Sequence, residues 1–151
     1  EKLASENNFR TIIIRTAWVY SRFGNNFVKT MLKLFKERES LGVVNDQIGS
    51  PTNAINLADA ILTIVMKKEP IFGIYNYSNE GECSWFDFAN KIKEFSGLSV
   101  QINPVNSTEF PTKAQRPAYS LLDKTKIKTV FEVDVPNWED SLKEEMKHIQ
   151  Y

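Results

Sequence analysis

"TIIIRTAWVY", residues 11–20, sets the fold class. Three consecutive isoleucines make a short β-branched run, which suits a strand buried on both faces of a parallel sheet. The period then changes. Beyond the turn "SRFGN", apolar residues at Phe27, Val28, Met31, Leu32, Leu34 and Phe35 leave lysines 29, 33 and 36 on another face, an amphipathic helix beginning at Asn26. "LGVVN" (41–45) reads as a second strand. Leu57, Ile61, Ile64 and Val65 then recur at helical spacing, with Asn56 and Asp59 resembling a capping box.

The alternation continues. "IFGIYNYS" (71–78) reads as a third strand, and Ser84 with Asp87 caps a helix that buries Trp85, Phe88, Ala89, Ile92 and Phe95 and stops at Gly97. "SVQINPV" (99–105) is a fourth strand, closed by Pro104. Residues 104–122 read as irregular, with prolines at 104, 111 and 117. Two short helices finish the chain. Asp123 caps the first; Asn137 caps the second, which carries Trp138, Leu142, Met146 and Ile149 on one stripe. Strands alternating with helices predict an α/β fold with a small, mostly parallel sheet and flanking helices. "EKLASENN" at the start reads as the last turns of a helix, with Leu3 and Ala4 as packing residues. Together with so small a sheet, this gives the expectation that more sequence lies upstream.

Composition narrows the function classes. Nineteen basic and nineteen acidic side chains cancel, so no global field draws the chain to nucleic acid or to an anionic membrane. One cysteine, Cys83, excludes an internal disulfide framework and a cysteine metal cluster, which fits a reducing, cytoplasmic compartment. The longest apolar runs, such as "AILTIVM", are too short to span a bilayer. The six glycines form neither G-x-G-x-x-G nor a P-loop. His148 reads as a solvated surface residue, Cys83 as helix-entry packing, and Glu80 and Glu82 as a solvated acidic turn.

Three segments carry candidate binding groups. In "RTAWVYSRFGNNF" (15–27), aromatic residues stand at the C-terminal end of a strand, where open α/β sheets bind ligands, and amides follow at a helix start that suits an anion. The competing reading makes Trp18 and Tyr20 core, with Asn25 or Asn26 a cap. In "NDQIGSPTN" (45–53), Asp46 and Gln47 suit sugar hydroxyls or an Asx turn, and Ser50, Pro51 and Thr52 either shape a site or stiffen a helix entry. In "KAQRPAYSLLD" (113–123), Arg116 locked beside Pro117 makes a phosphate fork or pairs a core-edge carboxylate.

These segments in this order, "RTAWVYSRFGNNFVKTMLKL", "NDQIGSPTNAINLADAI" and "RPAYSLLD", resemble the dTDP-4-dehydrorhamnose reductase family of the extended short-chain dehydrogenase/reductase superfamily. The resemblance covers essentially the whole chain, with Ser21 standing where the family more usually has glycine. It implies the C-terminal portion of an NAD(P)-binding Rossmann-type reductase. Residues 1–24 would close the cofactor-binding part and residues 25–151 would form the nucleotide-sugar-binding part. Such enzymes use NADPH or NADH, a glycine-rich segment and a Tyr-x-x-x-Lys pair, and reduce the C4 ketone of dTDP-4-dehydro-L-rhamnose. None of the chain's tyrosines has a lysine four residues on, so the resemblance implies no catalytic residue here and no reductase activity of this part alone. It implies substrate contacts from Trp18, Asn25, Asn26, Phe27, Gln47, Ser50, Pro51, Thr52 and Arg116, and cofactor contacts from Arg15, Thr16 and Ala17. A homodimer and a supporting Mg²⁺, known in some relatives, stay open.

Three other readings stand beside this one. A non-catalytic relative of the same fold, like the regulatory subunit of methionine adenosyltransferase, would lack the upstream Tyr-x-x-x-Lys. A related sugar-nucleotide epimerase or dehydratase would share the superfamily fold without "WVYSRFGNNF" followed by "DQIGSPT". A free-standing interaction domain is the third.

Overall fold

The first strand is shorter than the isoleucine run promises, and the reason lies at Trp18. In the computed structural model of the chain, which describes residues 1–109 and 116–150, β1 (Ile12–Arg15) ends before Trp18 takes φ 53°. A bulky residue in that left-handed region costs about 1–3 kcal/mol. It breaks the extended run, which resumes as the two-residue β2 (Val19–Tyr20). Before β1 stands α1 (Lys2–Asn7); it buries nothing, and Leu3 is exposed rather than packed. The remaining elements are α2 (Phe27–Glu37), β3 (Ser40–Val44), β4 (Ile48–Gly49), β5 (Thr52–Asn53), α3 (Ala54–Val65), β6 (Gly73–Asn76), β7 (Cys83–Ser84), α4 (Trp85–Ser96), β8 (Gln101–Val105), a 3₁₀ turn (Ser107–Glu109), α5 (Thr125–Phe131) and α6 (Trp138–Met146).

The α/β class holds, but the described strands form four pairs rather than one sheet. Three pairs are parallel, β1 with β6, β2 with β5 and β3 with β8; β4 and β7 are antiparallel. In the first pair Ile13 lies opposite Ile74. Ile12 and Ile14 alternate onto the other face, against a core of Ala60 and Ile64 from α3, Tyr75 and Tyr77, and Ile127 and Phe131 from α5. The isoleucine run is therefore half-buried, not buried on both faces. Only one face is covered, and Ile74 stays exposed on the other.

A larger core joins α2, α4 and α6 to β3. Val28, Met31, Leu32 and Phe35 from α2 meet Phe88, Ala89 and Ile92 from α4 and Trp138, Leu142 and Met146 from α6, with Leu41 and Val43 beneath. Phe88, Ile92 and Leu142 are fully buried, each contributing about 1.5–3 kcal/mol of transfer free energy. Pro104 sits inside β8 rather than after it; β8 pairs only with β3 among the described residues, and such an edge tolerates proline.

The caps match the sequence at three helices and differ at two. Asn26 accepts from Lys29 N, Ser84 and Asp87 form a reciprocal capping box, and Asn137 accepts from Glu139 N. For α3 the cap is Asn53, three residues before the expected Asn56, because its Oδ1 already accepts from Ile55 N and Asn56 N. Asp123 accepts from Thr125 N but sits one position outside the cap of α5, which is Lys124. Within the irregular 104–122 stretch, residues 110–115 lie outside the described residues.

Candidate functional site

β4 is only two residues long, yet it has neighbours on both edges. Ile48 and Gly49 pair with Ser84 and Cys83 on one side. On the other, Ile48 N donates to Ala118 O at 2.8 Å and Ser120 N donates to Ile48 O at 2.9 Å, so residues 118–120 run parallel to it. Gly49 is where the three candidate segments meet. A Cβ there would lie 2.8 Å from Trp18 Cε2 and 2.9 Å from Ser120 Oγ. Only a bare backbone admits both neighbours.

The indole that fills this space is held from another direction by Trp85, stacked on it with centroids 3.5 Å apart. Phe27 tilts against Trp85 at 4.6 Å and stacks on Phe88 at 5.4 Å. Trp18 is thus half-buried in an aromatic row rather than lost in the core, while Tyr20 is core, 1% exposed. Trp18 combines a left-handed backbone with an indole lodged against Gly49 and Trp85.

Most of the polar groups in the 45–53 loop face inward. Ser50 Oγ donates to Asn79 O at 2.5 Å, and Thr52 Oγ1 donates to Ala17 O at 2.7 Å. Ser50, Pro51 and Thr52 are all buried, so what they lend the site is shape, not free hydroxyls. Asp46 accepts from Ser107 N and Ser107 Oγ, and these two donors, the backbone one foremost, hold its carboxyl below the usual range. It closes a turn. Gln47 is half-buried, and its amide makes no hydrogen bond among the described residues.

The other expected residues divide in the same way. Asn26 is spent on the helix cap and on Ser21 O at 2.7 Å. Asn25 and Arg116 are exposed, and their side chains are unpaired among the described residues. Arg15 is exposed and forms a two-toothed pair with Glu1 at 2.9 and 2.7 Å. Thr16 Oγ1 reaches Thr52 Oγ1 at 3.3 Å, and Ala17 contributes the carbonyl that Thr52 uses. Thr16 and Ala17 therefore adjoin the loop just past the C-terminal end of a parallel strand, while Arg15, its last residue, faces Glu1 instead.

Two supports escaped the sequence reading. The first is Asn79, fully buried. Its Oδ1 accepts from Asn53 N at 2.8 Å, and its Nδ2 donates to Asn56 Oδ1, Pro136 O and Ser141 Oγ at 2.9, 3.1 and 2.9 Å. Its carbonyl accepts from Ser50 and from Lys124 Nζ. One amide thus ties the loop to α3 and α6. The second is Glu145, 2% exposed, which accepts from Arg22 N at 2.6 Å, Nε at 3.0 Å and Nη2 at 2.9 Å. Burial disfavours its charge, but the hydrogen bonds from Arg22 and Asn53 outweigh that and leave its pKa lowered. This pair pins the start of the 21–26 loop. The available signal was a lone Asn after a strand and an Arg after a Trp-Val-Tyr run, neither of which names its partner.

The acidic turn is not idle solvent surface. Glu80 pairs with the buried Lys124 at 3.4 Å and with Lys128 at 2.7 Å, and the two lysines outweigh burial to lower its pKa. Glu82 accepts from the Tyr119 hydroxyl at 2.8 Å. Burial pushes the Cys83 thiol far up, so it packs as a neutral side chain. His148 lies at the surface, 3.5 Å from Glu144.

Among the described residues the cluster offers amides, a guanidinium and aromatic faces. Among the described residues no three His, Cys, Asp or Glu side chains gather as a metal site. Surface grooves lie elsewhere, among them one along Asp59, Leu62, Thr63, Met66 and Lys67, one along Lys29, Lys33, Lys36 and Ile149, and one between Asn56, Thr63, Val133 and Asp134.

The model of the RmlD substrate binding domain family matches residues 1–151. The chain belongs to this family. A dTDP-4-dehydrorhamnose reductase of Sinorhizobium fredii is 40% identical over 148 residues, which cover 92% of this chain and 50% of the relative. The crystal structure of dTDP-4-dehydrorhamnose reductase from Bacillus anthracis in complex with NADP shares 38% identity and superposes with a TM-score of 0.91 over 99% of this chain and 52% of that one. The UDP-glucuronic acid 4-epimerase of Bacillus cereus, at 18% identity and a TM-score of 0.76 over 97% of this chain and 48% of its own, shares the fold. The RmlD-type chain therefore spans about half the length of the curated relatives it matches.

Proposed function

We propose that this chain is the substrate-binding part of an NADPH-dependent dTDP-4-dehydrorhamnose reductase, which reduces the C4 ketone of dTDP-4-dehydro-L-rhamnose to give dTDP-L-rhamnose, a precursor of cell-surface polysaccharide, in the cytoplasm. The observation that carries this reading is the match to the RmlD substrate binding domain across residues 1–151. The meeting of Trp18, Gly49 and Ser120 supports it, because it brings the three segments of the resemblance to one place.

In this reading residues 25–151 hold the nucleotide-sugar and residues 1–24 close the cofactor-binding part. Trp18 offers the sugar an apolar face, Asn25 and Gln47 offer their unspent amides, and Arg116 neutralises the diphosphate. Asn26 and Phe27 fix the helix start beneath them, and Ser50, Pro51 and Thr52 set the loop's shape. These are proximity and orientation roles. NADP in the Bacillus anthracis reductase supports NADPH as the cofactor of the whole protein. Arg15, Thr16 and Ala17 stand at the C-terminal end of β1, a position that fits a dinucleotide, although the Arg15 guanidinium is already spent on Glu1. NADPH supplies the hydride, and the proton donor belongs to a Tyr-x-x-x-Lys pair that these residues do not contain.

Isothermal titration of the chain with dTDP tests the reading. Saturable binding, weakened about tenfold or more by Arg116→Ala, is expected for loss of a charge-assisted fork. No dTDP binding by the unaltered chain would remove the reading, and unchanged affinity in the variant would remove the role of Arg116.

A further inference from the structure

Tyr119 is the one residue of the 118–120 strip whose chemistry the site has not used. Its backbone is fixed, since the residues on either side of it bond Ile48. Its hydroxyl is fixed too, donating to Glu82 Oε2 at 2.8 Å. Among the described residues nothing stacks on the ring itself, and the residue is 60% exposed. An aromatic face held still at both ends and left bare is suited to a flat apolar partner.

Charge gives that partner a direction. The carboxylate of Glu82 lies at the phenol tip, and a phosphate beside it would be repelled. Arg116, exposed and unpaired among the described residues, stands three residues upstream on the same segment, so its Cα lies within about 10 Å of that of Tyr119. The strip is therefore anionic and aromatic at one end and cationic at the other. A nucleoside diphosphate has the matching polarity, a neutral ring with N–H donors at one end and the anion at the other.

We propose that Tyr119 is the nucleobase platform of this site, with Glu82 as the positioning residue that locks its ring, so that the base stacks on Tyr119 while the diphosphate lies toward Arg116. This rests on the nucleotide-sugar reading above and adds the residue that reads the base. Phe23, 70% exposed in the 21–26 loop, is the rival aromatic; nothing in the described residues fixes its ring in the same way.

Titration of the 151-residue chain with dTDP, together with NOEs between the thymine protons and aromatic side chains, decides the matter. Tyr119→Ala is expected to weaken dTDP about tenfold, Tyr119→Phe, which keeps the ring but frees it from Glu82, to weaken it by a clearly smaller factor, and the unaltered chain to show NOEs from thymine H6 and its methyl to the Tyr119 ring. Circular dichroism confirms that each variant is folded, and the NOEs stand without any variant. Undiminished affinity in folded Tyr119→Ala, or a loss in Phe23→Ala with NOEs to that ring instead, overturns the proposal and leaves the nucleotide-sugar reading intact. Absence of dTDP binding by the unaltered chain overturns both.

Discussion

Trp18 lies nearly parallel to Trp85, ring centroids 3.5 Å apart and planes 13° from coincidence, with the Gly49 backbone against the Cε2–Cζ2 edge of its indole. The contact joins β2, β4 and the start of α4. It also accounts for the left-handed backbone of Trp18, a strain of about 1–3 kcal/mol that persists only where surrounding packing over-determines it.

Gly49→Ala should therefore act on the indole more than on the local chain. The added methyl would sit within 2.9 Å of both Trp18 and Ser120, so one of them must move. Overpacking of this kind costs about 1–3 kcal/mol. We expect a lower midpoint in urea unfolding and a changed near-ultraviolet circular dichroism band from the Trp18–Trp85 pair; an unaltered band would mean that the stack does not depend on Gly49.

Asn79→Ala leaves Asn53 N and its other partners without their hydrogen bonds in a buried place. A loss of at least about 2 kcal/mol follows, since each orphaned buried group costs about 1–3 kcal/mol. Asn79→Asp keeps the acceptor toward Asn53 but loses the three donations, so it should not restore stability. Full recovery in the Asp variant would show that only the Asn53 bond matters.

The pair at Glu145 makes stability depend on pH with a definite sign. Its folded pKa is lowered, so its contribution is complete above the unfolded value of about 4.3 and is lost as pH falls through the folded value. Glu145→Gln should cost about 1.5–3 kcal/mol at pH 7, by loss of hydrogen bonds to a charged group, and progressively less in acid. Unfolding midpoints measured from pH 7 to pH 3 check this; a constant difference would place the effect in packing instead.

The start of α3 separates two caps. Asn53→Ala should destabilise by about 1 kcal/mol or more, because its Oδ1 serves the first turn, whereas Asp59→Ala should stay within about 0.5 kcal/mol. Comparable losses from both would restore the Asn56–Asp59 box that the spacing predicts.

That misplaced cap shows where the sequence stops speaking. Periodicity located α2, α4 and α6 and their buried stripes because those helices bury one face each, and local capping at Ser84 and Asn137 involves neighbours three residues apart or fewer. The three motifs named the segments that meet around Gly49, but not that they meet there or that residues 48–49 pair as a strand. Residues such as Asn79, Glu145 and Lys124 were not legible, since their partners lie 23 to 123 residues away and nothing near them marks the pairing. For the same reason the polar loop looked more open to ligand than it is; Ser50 and Thr52 spend their hydroxyls on carbonyls 29 and 35 residues distant.

The central claim is the place where the nucleotide-sugar binds, and backbone amide and indole N–H shift mapping by NMR with dTDP tests it most directly. The account predicts shifts gathered at Trp18 and Trp85, at Asn25 and Gln47, and along residues 116–120. Shifts gathered instead on the α3 groove from Asp59 to Lys67, or on the lysine face of α2, would contradict it.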